Sequence, residues 1–259
     1  MVSIAIPVLH HKGGPGSQDS IDDFPAAAAL LYFNGVLYEC CDIPQALERL
    51  GLPSEITPEM AGEHVANIEL GGIVDYQETV SQTDKELFRY APAPSRAVYV
   101  LRDGDNYMAA VFVRTYFPDD PNAYSDLAEV YRIYGIEDAG GIASIAQVDW
   151  NRGKVIGAEI TDTEAISKFY ALTTDIVNFV SMDNDAFQDR VFADVPEENA
   201  PEAHSAFADD QQTIRIETAD GHRFFVSIYP SYGYLYSSGA MAYHQITPQL
   251  AEWINEYLE

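Results

Sequence analysis

The chain predicts an α+β fold: a β-rich N-terminal unit built from hairpins, followed by an antiparallel sheet covered by helices. Three observations carry this. Asn34-Gly35 and Asp220-Gly221 each lie between apolar, strand-like runs, a hairpin signature. Three stretches of the second half repeat apolar residues at helical spacing. Hydrophobic residues make up 47% of 259, enough for a packed core in one large domain or two ordinary ones.

The organisation expected is a leader and linker over 1–23, a β-rich unit with short helices over 24–136, and an α+β unit over 137–259. Met1 to Leu9 is apolar but far shorter than the roughly 20 residues that span a bilayer. It has no basic region before it and no small-residue cleavage site. It reads as the tail of a longer membrane anchor, as a strand or as a disordered leader. His10-His11 and a Gly/Pro/Ser linker follow.

In the first unit, a two-residue turn at Asn34-Gly35 pairs Phe33 with Val36 and Leu31 with Tyr38. Leu31, Phe33, Val36, Tyr38 and Cys40 then share a face, with Glu39 and Cys41 on the other. A short helix starts at Pro44 and stops at Gly51 and Pro53. A strand is expected over 64–70, ending at Gly71-Gly72, and a polar loop over 77–85. Ala97–Leu101 and Asn106–Arg114 form a second hairpin over 102–105. Both its arms are apolar, so it belongs in the middle of a sheet.

In the second unit, Leu127, Val130, Tyr131 and Tyr134 mark one helix face, ended by Gly135. Strands over 142–148 and 155–160 follow. A capping box from Thr161 to Glu164 opens a helix with Ile166, Phe169, Tyr170, Thr173 and Val177 inside. Residues 181–212 are acidic and aperiodic, an unusually long loop for a compact domain; they read as an ordered functional excursion or a mobile insertion, and are expected to be partly mobile. In the next hairpin a three-residue loop over 219–221 sets Ile216 opposite Phe224, Ile214 opposite Val226 and Glu217 opposite Arg223. A two-residue loop breaks that match, so the longer loop is selected, with Gly221 left-handed. Strands over 232–243 follow. Thr247 caps the last helix, whose stripe is Leu250, Trp253, Ile254, Tyr257 and Leu258.

The patches Ile142-Ala-Ser-Ile145, Ile160-Thr-Asp-Thr-Glu-Ala-Ile166, Ile214–Ile228 and Tyr243-His-Gln-Ile246 resemble small domains of membrane-anchored envelope proteins of Firmicutes. Tyr32-Phe-Asn-Gly-Val-Leu-Tyr38 is similar to their companion β domains. The resemblance covers about half the chain. It implies an accessory or sensory domain of the cell envelope, held outside the cytoplasm by an anchor beyond this sequence. It carries no catalytic residues across, and a cytoplasmic location is the alternative.

Charge narrows the partners. The chain has 41 acidic against 14 basic residues, a net of −27. Nucleic acids bind through Lys and Arg on phosphates, so a nucleic-acid partner is not expected. An acidic surface favours cations and basic partners, and also solubility. Cys40 and Cys41 are adjacent, so they form no ordinary disulfide, and no zinc-ligand spacing exists. Cys40 reads as a small buried hydrophobe. The six histidines are scattered, and His222, just after a tight turn, is expected in solvent.

Two oxygen-rich clusters stand out. Asp183, Asp185 and Asp189 resemble half a calcium loop. Its sixth and twelfth positions are Gln188 and Asp194, where the EF-hand order needs Gly and Glu. Calcium is thus the one cofactor suggested, against a solvated acidic loop. Asp119, Asp120, Asn122 and Asp126 read as a turn and a helix start.

Tyr229, Tyr232, Tyr234, Tyr236 and Tyr243 crowd the final strands. Tyrosine offers rigid contact area with a polar tip, which suits a protein or glycan partner, and it also suits sheet packing. No catalytic motif occurs. The expected function is a non-enzymatic binding or sensing module. The alternative is an acidic inhibitor or immunity-type protein that blocks a basic protein.

Overall fold

A computed structural model describes residues 30–74, 77–115, 125–149, 154–176, 179–181, 187 and 191–258. It holds two antiparallel sheets and five helices, a mixed, β-rich α+β fold.

The first sheet closes on itself as a six-stranded barrel. Its strands are β1 (Leu30–Phe33), β2 (Val36–Cys41), β3 (Ala61–Val74), β4 (Gln77–Tyr90), β5 (Val98–Asp103) and β6 (Asn106–Thr115), in the order β1-β2-β6-β5-β4-β3. Closure removes the free edges that an open sheet would expose. Leu31 faces Tyr38 and Phe33 faces Val36, the register that the Asn34-Gly35 turn dictates. Asp103 faces Asn106 across a two-residue turn, and β5 lies between β4 and β6; in a closed barrel no strand is more central than another. Two expectations fail here. The strand over 64–70 runs on through Gly71-Gly72 to Val74, and the polar stretch 77–85 is the first half of β4. Cross-strand pairing down a long hairpin holds this backbone extended without an apolar alternation to advertise it.

The short helix α1 (Pro44–Arg49) lies between β2 and β3. Both thiols are free. Cys40 is half-buried, and Cys41, expected on the outer face, is the more buried of the two.

The second sheet has seven strands: β7 (Ile142–Asp149), β8 (Lys154–Ile160), β9 (Phe179–Ser181), β10 (Gln212–Thr218), β11 (Arg223–Tyr229), β12 (Tyr234–Ser237) and β13 (Ala242–Gln245). Their order is β8-β7-β10-β11-β12-β13-β9, antiparallel throughout. The β10–β11 hairpin has the three-residue loop: Glu217 faces Arg223, Ile216 faces Phe224 and Ile214 faces Val226. Gly221 is left-handed at φ +85°.

Helices α2 (Leu127–Ile133), α3 (Thr163–Thr174) and α5 (Pro248–Tyr257) contribute to one continuous core with the sheet. Trp253 on α5 is fully buried, and its ring N–H donates to the carbonyl of Ala165 on α3 at 2.9 Å. Burying a large side chain with its polar atom satisfied is worth about 2–3 kcal/mol. Thr247 caps α5 as expected. The cap of α3 is Asp162, not Thr161: its carboxylate accepts from the amide of Ala165 at 2.8 Å. A carboxylate there also sits at the positive end of the helix dipole.

The described part of the stretch 181–212 is not a structureless loop. A 3-10 turn over Glu197–Asn199 leads into α4 (Ala200–Asp209), and β10 begins at Gln212. Among the described residues, no helix is long and apolar enough to cross a membrane. Residues 1–29 lie outside the description, so the leader expectation does too.

Barrel and sheet share the core. Three backbone bonds cross between them or through α2: Arg223 N–H to Leu50 at 2.9 Å, Thr115 N–H to Gly239 at 2.9 Å, and Arg96 N–H to Ile133 at 2.9 Å. Tyr134 stacks on Phe224 with ring centroids 4.4 Å apart.

Candidate functional site

The molecule carries an aromatic layer behind the sheet and a cavity beside the barrel. The layer follows from strand alternation. Ile228, Leu235 and His244 point into the main core, so Tyr229, Tyr234, Tyr236 and Tyr243 point to the opposite face. Tyr229 faces Tyr234 and Tyr236 faces Tyr243 across the ladder. Tyr232 joins them from the 3-10 turn over Pro230–Tyr232. All five tyrosines singled out in the sequence are thus brought together.

Their ring faces already have occupants from the same chain. Phe207 on α4 lies parallel to Tyr229 at 4.2 Å between centroids and meets Tyr232 edge-on at 4.9 Å. Phe187 stacks on Tyr243 at 3.6 Å and meets Tyr234 edge-on at 5.2 Å. Tyr229 and Tyr234 are buried, while Tyr232, Tyr236 and Tyr243 keep part of their surface in solvent. Burial raises the phenols of Tyr229 and Tyr243 above their ordinary value, with the neighbouring tyrosine a smaller cause at Tyr229. The layer is therefore a second, smaller core, with Val180 and Phe187 in it. The signal for α4 was present in the sequence: Pro201 ahead of an alanine-rich run, with Phe207 three residues past His204.

The cavity lies between α1, the loop after it and Tyr107 of β6. Its volume is about 370 Å³, and Asp42, Pro44, Leu47, Ser54, Glu55, Ile56 and Tyr107 line it. The local sequence explains the shape. Asp42 follows the last residue of β2, and Pro44 presets the first turn of α1. Gly51 turns left-handed at φ +77° and ends α1, and the amide of Leu52 donates back to Leu47 at 2.9 Å. Ser54, Glu55 and Ile56 then run back beside Asp42, and Tyr107 of β6 supplies the wall. Leu47 and Ile56 are buried at the floor, while Asp42, Ser54 and Glu55 are exposed. Ile43, next to Asp42, is 50% exposed, one of few large apolar side chains so placed among the described residues.

Chemically, this cavity offers two carboxylates, two hydroxyls and an apolar floor. The lining contains no histidine, cysteine or lysine. An aliphatic stem ending in a cation is the complementary shape, because carboxylates accept charge-assisted hydrogen bonds and the stem covers apolar surface. Nothing in the composition pointed here, because Asp42 and Glu55 are thirteen positions apart and come to line one cavity only once α1 has folded between them.

The other sequence candidates are dispersed. Asp183, Asp185 and Asp189 lie outside the described residues, as do Asp119, Asp120 and Asn122. Asp126 is the cap of α2, accepting from the amide of Glu129 at 2.8 Å. No group of three or more His, Cys, Asp or Glu able to hold a metal occurs among the described residues. The described histidines sit apart: His64 beside Phe88, His204 beside Phe192, His222 beside Tyr90 and His244 beside Phe179. His222 is not in solvent. It is 2% exposed, because its loop docks on the turn after α1. Burial pushes the Cys40 thiol up to about 12, against a weaker downward pull from Lys85. A thiol so raised is a poor nucleophile at neutral pH.

Comparison with known proteins finds no matching family model, curated protein or solved structure.

Proposed function

We propose that this chain is a non-catalytic binding module whose partner is a basic protein, and that the cavity beside α1 receives one of the partner's lysine or arginine side chains. The observation that carries this is the cavity itself. Asp42 and Glu55 stand at the rim of an apolar floor made by Leu47 and Ile56, with exposed Ile43 alongside.

Charge supports the reading. Lys85, Arg89, Arg96, Arg102, Arg132, Lys168, Arg215 and Arg223 each lie beside a carboxylate of the same chain. Such pairs add little stability where exposed. Their consequence is that these eight of the described cations are engaged internally, while 41 acidic residues against 14 basic ones leave a large uncompensated negative field. A field of one sign speeds encounter with an opposite partner and makes binding salt-dependent. Chemistry is disfavoured by burial at the groups best suited to it, the Cys40 thiol and the His222 and His244 imidazoles. An inhibitor or immunity-type role is one form of this function. A place in the bacterial envelope rests on the resemblance of the patches from Gly141 onward and on no feature of the fold.

Immobilised protein is exposed to lysate at low salt, beside an unrelated protein of similar net charge and beside the Asp42→Asn/Glu55→Gln variant. A basic protein retained by the wild type, released as salt rises and bound at least tenfold more weakly by the variant supports the proposal. Equal retention on all three columns, or none, overturns it.

A further inference from the structure

The loop over Ala219–Gly221 closes the β10–β11 hairpin and also forms the seam with the barrel side of the molecule. At this seam backbone meets backbone. The amide of Arg223 donates to the carbonyl of Leu50 at 2.9 Å, and Gly51 lies so close to Gly221 that a β-carbon there would meet the Gly221 carbonyl oxygen at 1.9 Å. His222 is in the middle of this contact. Its backbone is held by Thr218 through both its amide and its carbonyl. Its ring lies 5.7 Å from that of Tyr90 on β4. Neither ring nitrogen has a hydrogen-bond partner among the described residues. A neutral imidazole must leave one donor and one acceptor unmet there, and an imidazolium would leave two donors and a charge.

We propose that this seam is a proton-operated latch, with His222 as the titrating group that releases the 219–222 loop from the turn after α1 when the pH falls.

The groups around it define the response. The turn after α1 brings Leu50 and Gly51, with Glu48 and Arg49 on the helix before it. Tyr90 comes from β4, and it stays neutral in this range because burial raises its phenol further. The hairpin brings Thr218, Asp220 and the Glu217–Arg223 pair, joined at 2.7 Å. Arg223 is engaged with Glu217 and also donates to the carbonyl of Glu48 at 3.3 Å, which places a cation on the hairpin side of the ring. Burial holds the His222 imidazole below the ordinary histidine value, and exposed Asp220 pulls weakly the other way. The closed seam therefore prefers the neutral ring, while an opened loop exposes a ring of ordinary basicity. The open population can rise by as much as about 30-fold at pH 5, from the ordinary histidine pKa alone. This latch is independent of the partner proposed above, and its test measures no binding.

Hydrogen exchange of the full chain, corrected for the intrinsic pH dependence of exchange, is measured at pH 7.5 and 5.0 on peptides covering 48–52 and 218–224. In the wild type, protection of both should fall at least threefold, while β7 and the middle of β10 keep theirs. In His222→Phe, which keeps an aromatic ring beside Tyr90, the fall should be under twofold. Unchanged protection in the wild type, or an equal fall in the variant, overturns the latch. Should His222→Phe not fold, wild-type NMR decides. The His222 ring protons and the Gly51 amide should shift together with one midpoint below the ordinary histidine value. A Gly51 amide that ignores the ring titration is the contrary result.

Discussion

The amide of Arg223, on the sheet, donates to the carbonyl of Leu50, beside the barrel, and this single bond fixes two glycines face to face. Gly51 and Gly221 are both left-handed, at φ +77° and +85°. Their surroundings differ. A β-carbon at Gly221 meets nothing within 4 Å, whereas at Gly51 it collides with the Gly221 carbonyl.

Gly221→Ala should therefore cost about 1 kcal/mol, the strain of a β-carbon at positive φ. Gly51→Ala should cost more than about 3 kcal/mol, because backbone must move as well. Urea unfolding of both variants checks this. Equal losses would mean that the two segments are not in contact.

The aromatic layer makes a second prediction. Phe207→Ala removes the ring stacked on Tyr229, and should cost about 2 kcal/mol for a half-buried aromatic. Hydrogen exchange should show α4 losing protection over 200–209, with α3 and α5 unchanged. If α4 keeps its protection, the Phe207–Tyr229 stack does not hold it to the sheet.

His244 supplies the pH dependence. It is fully buried beside Phe179, and neither ring nitrogen has a hydrogen-bond partner among the described residues. Burial pushes its imidazole down to about 4, against a weaker upward pull from Asp126. Between the ordinary value near 6.5 and that lowered value, the unfolded chain binds a proton that the folded chain refuses. Its contribution to stability is thus complete above about pH 6.5 and is lost as the pH falls towards 4, by up to about 3 kcal/mol. The stability of the wild type minus that of His244→Leu should fall by about 1–2 kcal/mol between pH 7.5 and 5, whichever protein is the more stable at pH 7.5. A difference that ignores pH would mean that the ring has found a partner for its proton.

Legibility in the sequence followed the range of the cause. The registers at Asn34-Gly35 and over 219–221 could be read because turn chemistry and side-chain alternation act within a dozen residues. Thr247 and Pro248 placed α5 for the same reason. What failed was set at long range. Strand β4 is polar because its partner strands, not its own pattern, hold it extended. Barrel closure depends on β1 meeting β3 through Leu30 and Gly71. His222 looked solvated because nothing near it in sequence announces that α1 covers its loop. The five tyrosines were grouped correctly, but Phe187 and Phe207, which cover them, lie in a stretch whose acidity masked its helix. The Asp42–Glu55 cavity could not be read at all, since it exists only once α1 has folded against β6.

That cavity is tested most directly by an amide NMR titration of the labelled full chain with arginine ethyl ester, a cation on an aliphatic stem. Shifts should concentrate at Asp42, Leu47, Ser54, Glu55, Ile56 and Tyr107, weaken as salt is added, and vanish in Asp42→Asn/Glu55→Gln. Shifts scattered over the acidic surface, or identical in the variant, would contradict a binding site there.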